Sequence, residues 1–138
     1  MIEFSYGIIP FRRVQDGYEV LLIQHRKGSY WSFPKGHPEG DEDPLDAACR
    51  ELKEETHLEV DEFLSKEPFV EHYQFDRDGQ LVEKTVSYYV ALVSGSLNTL
   101  DEEILRAAWF PVSEARKMIT FDESKKVLKS VLTKIPKL

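Results

Sequence analysis

The stretch from Gly36 to Leu58, GHPEGDEDPLDAACRELKEETHL, constrains this chain more than any other, because it prescribes an acidic loop running straight into a capped helix. Asp43 is placed to cap that helix, Pro44 suits its first position, and Asp46 sets a negative charge against the positive end of the helix dipole. Leu45, Ala48, Cys49, Leu52 and Thr56 follow the spacing i, i+3, i+4, i+7, i+11 and make one apolar stripe, which assigns Cys49 to the core. Glu51, Glu54 and Glu55 fall to one side of that stripe, within an arc of about 100°. Like charges so placed repel, so the arrangement calls for a cation, and ligands made only of oxygen favour hard ions such as magnesium or manganese. Arg50 can pair with Glu51 or with the loop residue Glu42, and Gly36 lets the backbone approach an ion closely.

The spacing is Gly36, five residues, Glu42, seven residues, then Arg50-Glu51-Leu52-Lys53-Glu54-Glu55-Thr56-His57-Leu58. It resembles the Nudix box, G-x5-E-x7-R-E-U-x-E-E-x-G-U with U a bulky aliphatic residue, at every position but one. His57 stands where the family has glycine, at the helix end, where a left-handed turn is expected and His can adopt it at some cost. The resemblance implies a hydrolase in which Gly36, Glu51, Glu54 and Glu55 hold Mg2+ or Mn2+ and Arg50 keeps the carboxylates in position. It implies metal-assisted attack of water on one phosphorus of a polyphosphate, with one glutamate taking the proton. Glu54 is the candidate base, and the family uses different positions for this role.

Composition bounds the rest. The 138 residues suffice for one domain, 1–138, and a hydrophobic share of 41% supports a core. No apolar run approaches membrane-spanning length, and the opening MIEFSYG has no basic segment followed by an apolar one. A single cysteine excludes an internal disulfide, so a reducing, cytoplasmic location is expected. A net charge of −7 argues against broad binding of a nucleic acid backbone, leaving a small nucleotide as the expected partner and a monomer as the expected state. The five lysines from Glu123 onward are read as the solvated face of a terminal helix whose core side is Val127, Leu128, Val131 and Leu132; a basic docking patch is the other reading.

The element order reads strand, strand, short strand, helix, several strands, helix. Residues 3–12 and 18–25 flank Gln15-Asp16-Gly17 as a hairpin, and 67–76 and 81–93 flank Asp78-Gly79 as a second pair. Residues 107–112 read as one more strand, and 113–118 and 123–133 as helices capped by Ser113 and Asp122. The pattern is α+β, and the resemblance implies a mixed sheet between helices, the Nudix α/β/α sandwich.

Trp31-Ser32-Phe33-Pro34-Lys35-Gly36-His37 runs into the acidic loop and is similar to the W-x-x-P-K-G-H of the asymmetrical dinucleoside tetraphosphatases, a Nudix branch that cleaves diadenosine tetraphosphate to ATP and AMP. That resemblance implies phosphate contacts from Lys35 and His37. Glu83-Lys84-Thr85-Val86-Ser87-Tyr88-Tyr89 also resembles the branch, which makes Lys84 the candidate for the distal phosphates and places Tyr88 near the substrate. The branch holds adenine between aromatic rings; Tyr73, Phe75 and Phe121 are the candidates, with the pair left open. Glu103, six residues before Trp109, matches a glutamate that the branch uses for metal or water, and Glu102 could substitute. Two further readings stand beside this one: a Nudix pyrophosphohydrolase of RNA 5′ ends or other nucleoside diphosphate derivatives, and a nucleotide-binding module without turnover.

Overall fold

In the computed structural model, which describes residues 1–99 and 101–138, the alternation of side chains along the strands sorts the apolar residues into two cores. The strands are β1 (Ile2–Val14), β2 (Gly17–His25), β3 (Trp31–Ser32) and β4 (Lys35–Gly36). Then come α1 (Pro44–Thr56), β5 (Glu59–Phe63), β6 (Phe69–Arg77), β7 (Gln80–Ser94), β8 (Ile104–Pro111), α2 (Val112–Met118) and α3 (Asp122–Lys134). All eight strands join one mixed sheet in which β1 runs parallel to β7 from Ile2↔Glu83 to Phe11↔Leu92, while the other pairings are antiparallel.

Ile8, Leu21, Ala91 and Val93 point to one face and pack with Ala48, Leu52 and Leu58 of α1 and its exit. Ile9, Phe11, Val20, Leu22, Val86, Tyr88 and Val90 point to the other and pack with Ala115 and Ile119 at α2 and with Val127, Leu128 and Val131 of α3. The chain is therefore a mixed sheet between helices, the sandwich that the Nudix resemblance implies. The core side of α3 is the one read from the sequence, with Val127, Leu128 and Val131 buried and Leu132 partly so. Among the described residues, no helix is long and apolar enough to cross a membrane.

Several local expectations are corrected. β5 was not anticipated: four of its five residues are exposed, and only Val60 turns toward the core, so hydrophobic alternation cannot announce it. β8 starts at Ile104, three residues before the expected Ala107. Neither Ser113 nor Asp122 caps a helix; α2 starts from Pro111 and α3 from Phe121, both without a side-chain cap bond, and Asp122 lies in the first turn of α3. Cys49 is only half-buried, at the rim of the α1 core.

Gly7 explains how the sheet presents the acidic loop. A side chain there would collide with the Pro34 carbonyl, so glycine lets residues 33–36 fold back onto β1, where the Ile8 N–H donates to Pro34 O at 3.2 Å and Gly7 pairs with Lys35. This crossing carries Lys35 and Gly36 against the acidic face of α1, beside Glu55 and Glu51 in the second half of the helix.

Candidate active site

The helix that bears the acids begins and ends as its sequence requires. Asp43 is the N-cap and accepts the Leu45 N–H at 3.2 Å, Pro44 opens the first turn, and His57 closes the helix in the left-handed region with φ 66°, its N–H donating to Lys53 O at 2.9 Å. The His in place of glycine thus preserves the turn, at the strain expected of a residue with a Cβ.

Arg50 organises the loop around this helix. Its Nε and Nη2 grip Glu42 at 2.9 and 3.0 Å, Nη2 also donates to the His37 carbonyl at 2.9 Å, and Nη1 reaches Glu51 at 3.1 Å and Glu54 at 3.0 Å. The hydrogen bond to Glu42, with help from Glu54 and Glu51, holds the guanidinium charged, and the same bond lowers the Glu42 carboxyl below its ordinary range. Arg50 is therefore a positioning residue that ties loop to helix.

The three glutamates do not share one centre in this structure. Glu51 and Glu54 turn to Arg50, while Glu55, 5% exposed, accepts the backbone N–H of Lys35 at 3.0 Å. Correspondingly, among the described residues no three His, Cys, Asp or Glu side chains stand together as a ready-made cage. The donor set nevertheless fits a hard divalent ion in its chemistry. Burial, then the neighbouring Glu51, pushes the Glu55 carboxyl up to about 9, and burial, against the pull of Arg50, raises Glu51 as well. Burial and mutual repulsion disfavour the charged forms of these two carboxyl groups, and a bound cation would relieve both and return them to anionic oxygen ligands. Gly36 completes the fit, since any side chain on it would run into the Glu51 carboxylate.

The second acidic cluster is arranged differently from expectation. Asp101, not Glu103, contributes its field to Glu51 and Glu55. Glu103 is exposed; its N–H is bonded to Asp101 Oδ1 at 2.8 Å, its carbonyl accepts from the Arg26 N–H at 2.8 Å, and its charge acts on Tyr30. Glu102 is exposed too, its carbonyl held by Arg26 Nε at 2.9 Å.

On the far side of Lys35 lies a cavity of about 480 Å³ whose walls include Tyr30, Tyr73, Phe75 and Phe121. Its size suits one nucleoside. Tyr73 and Phe75 lie with ring centroids 6.0 Å apart, and Tyr30 and Phe121 5.2 Å apart, two aromatic pairs around one space. Tyr30 was not expected here; His25 stacks on it at 4.2 Å, and nothing in the sequence near residue 30 marks that ring as a wall rather than core. Glu71 and Ser124 also line the cavity and were likewise missed.

Lys35 joins the two halves. Its N–H is bonded to Glu55, its side chain lines the cavity, and its ammonium makes no hydrogen bond or ion pair among the described residues. Burial lowers its pKa, against the attraction of Glu71, Glu55 and Glu51. Lys84 is close enough to feel that charge: burial first, then Lys35, lowers it to about 8. Its Nζ lies 3.4 Å from His37 Nε2 and 3.8 Å from Glu3, so Lys84 stands beside His37 and within the field of Lys35. Tyr88 does not join them. It is fully buried against Phe33, with its hydroxyl donating to Glu71 at 3.0 Å, because its place on β7 turns it into the α3-side core.

With this geometry described, comparison with known proteins gives concordant results. The model of the NUDIX domain matches residues 3–131. A Mycobacterium tuberculosis protein carrying the mutator name MutT4 is 31% identical over 122 residues; the match covers 88% of this chain but 48% of that relative's length. The asymmetrical bis(5′-nucleosyl)-tetraphosphatase of Rattus norvegicus is 31% identical over 131 residues, covering 88% of each chain. Among solved structures, a binary complex of the Caenorhabditis elegans Ap4A hydrolase superposes with a TM-score of 0.76 at 20% identity, covering 99% of each chain, a likeness of fold.

Proposed function

This chain belongs to the Nudix family and is a Nudix hydrolase, and from that premise we propose that it cleaves dinucleoside polyphosphates, diadenosine tetraphosphate to ATP and AMP in particular. The observation that carries the reading is Lys35, whose backbone is bonded to an acid of the metal-type face and which also lines the aromatic cavity, its ammonium without an ion pair among the described residues. A nucleotide with its base in that cavity would bring its phosphates past Lys35 to the glutamates. The similarity to the rat tetraphosphatase supports the same substrate class. We further propose that the enzyme works as a cytoplasmic monomer on this small nucleotide.

Magnesium or manganese, held by Glu51, Glu54, Glu55 and the Gly36 carbonyl, with Glu103 as an outlying candidate, would neutralise phosphate oxygens and acidify a bound water. Glu54, more exposed than Glu51 and Glu55, is the candidate to accept the proton of the attacking water. Arg50 fixes the direction of Glu51 and Glu54 and keeps the loop closed on the helix. Lys35, Lys84 and His37 orient the polyphosphate by charge, and two of Tyr30, Tyr73, Phe75 and Phe121 stack on the base.

The test is chromatography of the products after incubation with diadenosine tetraphosphate and magnesium, beside a control with chelator. ATP plus AMP formed only with metal is the expected result. ADP as sole product, or no turnover, would overturn the substrate assignment while leaving the family membership untouched.

A further inference from the structure

Glu71 is a buried acid that the proposed hydrolysis leaves unused. Its side chain is 4% exposed, lies in the wall of the cavity, and accepts the Tyr88 hydroxyl on Oε1 at 3.0 Å and the Ser124 hydroxyl on Oε2 at 2.9 Å. An ionised carboxylate offers about four lone-pair directions, so each oxygen keeps one in reserve. No ammonium or guanidinium makes an ion pair with it among the described residues; Lys35 acts on it through its field alone. Among the described residues this buried carboxylate is held by two neutral donors, one on each oxygen, and the space beside its remaining acceptor directions is the cavity.

Strand β6 supplies a ruler for what would meet it. Glu71, Tyr73 and Phe75 share one face at steps of about 6.7 Å. Glu71 stands at the end where the Lys35 charge is felt, and Phe75 lies farther along with the aromatic walls. A nucleotide laid on that ruler has its phosphates toward Lys35, its base toward the rings, and its sugar between. Two adjacent acceptors, one on each carboxylate oxygen, match the two donors of a vicinal diol.

We propose that Glu71 accepts hydrogen bonds from the 2′ and 3′ hydroxyls of the nucleotide seated in the cavity and so selects ribonucleotides over deoxyribonucleotides. The inference rests on reading the cavity as the nucleotide site. Tyr88 and Ser124 fix the plane of the carboxylate before the sugar arrives, so little ordering remains to oppose binding. A sugar lacking either hydroxyl leaves a desolvated acceptor facing carbon, and the affinity falls.

Isothermal titration of the full chain with ATP, 2′-deoxy-ATP and 3′-deoxy-ATP, in chelator so that nothing turns over, tests this directly. ATP should bind about tenfold more tightly than either deoxy form, the loss expected for one hydrogen bond to a charged group. In Glu71→Gln that ratio should drop below about threefold while all three nucleotides still bind, since a merely structural role would weaken all three alike. Equal binding of the three by the wild-type chain overturns the proposal, as does a ratio that survives in folded Glu71→Gln. Should that variant not fold, the wild-type series decides alone. Absence of any nucleotide binding overturns this inference together with the reading of the cavity. A ribose preference without turnover of diadenosine tetraphosphate would sink the substrate assignment and leave Glu71 in its role.

Discussion

On the acidic face of α1, the side-chain bonds of Arg50 to Glu42, Glu51 and Glu54 stay within the single stretch Gly36 to Glu55, whereas the aromatic cavity takes its walls from around Tyr30, from β6 and from the start of α3. The first region is set by helix periodicity and one arginine, so the acids keep their mutual positions wherever the helix is docked. The second exists only after three distant segments pack. They differ in charge balance as well: Glu51 and Glu55 repel each other beside the Arg50 guanidinium, while the cavity is lined by Lys35, whose ammonium has no ion pair among the described residues. A region built locally can store charge repulsion, because the helix backbone resists it; a region built by tertiary packing stores selectivity, because its shape depends on which faces meet. Lys35 belongs to both, which puts the chemistry and the recognition one residue apart.

The comparison is broken most severely at Glu54. Its side chain is 51% exposed and its one hydrogen bond is to Arg50, so Glu54→Gln should change stability by no more than about 0.5 kcal/mol. Turnover should fall by about 10²–10⁴-fold if Glu54 takes the proton of the attacking water. A thermal melt beside kcat reads both, and near-normal kcat in the folded variant would move the base to Glu51 or Glu55.

Next in size is the charge stored at Glu55. The folded chain holds that proton to about 9, against an ordinary value of 4.5, so between those limits the native state binds one more proton than the unfolded one. Metal-free stability should therefore fall as pH rises, by up to about 1.4 kcal/mol per pH unit. Denaturant melts in chelator at pH 6.5 and 7.5 should show the loss as the difference between the wild type and Glu55→Gln, since His25 and Lys84, both lowered and therefore of opposite slope, contribute equally to the two proteins. Identical profiles would mean that Glu55 is not carrying the repulsion.

The same contrast explains what could be read in advance. The cap at Asp43, Pro44 at the first position, the acids on one side and the arginine between loop and helix are all short-range features, and they stand as the spacing dictates. The left-handed turn at His57 was also legible, because helix termination is local. The strand ends were not: β5 is acidic and exposed, and it exists because β7 offers it an edge. Alternation said that Tyr88 and Tyr89 face opposite ways, yet nothing in one strand says which face is core. The parallel pairing with β1 decides it and buries Tyr88. Tyr30, Glu71 and Ser124 were invisible for the same reason, since each becomes a wall only when α3 and β6 meet. Asp101 stood within the acidic run that the sequence exposes, but its neighbours Glu102 and Glu103 could not be told from it without the turn geometry.

The smallest and most selective effect belongs to Phe121. It precedes α3 as the residue before the first helical turn, is 52% exposed, and lines the cavity beside Tyr30. Because so little of it is buried, Phe121→Ala should cost less than about 1 kcal/mol of stability. If its ring is one side of the base platform, losing it removes a stacking contact worth about 1–3 kcal/mol, or about 5- to 150-fold in affinity. The loss should appear in KM and leave kcat nearly unchanged, because the acids proposed to act on the phosphates lie on the other side of Lys35 and do not depend on α3. Steady-state kinetics on diadenosine tetraphosphate resolves the two terms. A fall in kcat with unaltered KM would mean that the cavity and the acidic face are coupled through more than Lys35. An unaltered KM and kcat would assign the stacking to Tyr73 and Phe75, whose rings share the strand with Glu71 and are held by the sheet itself.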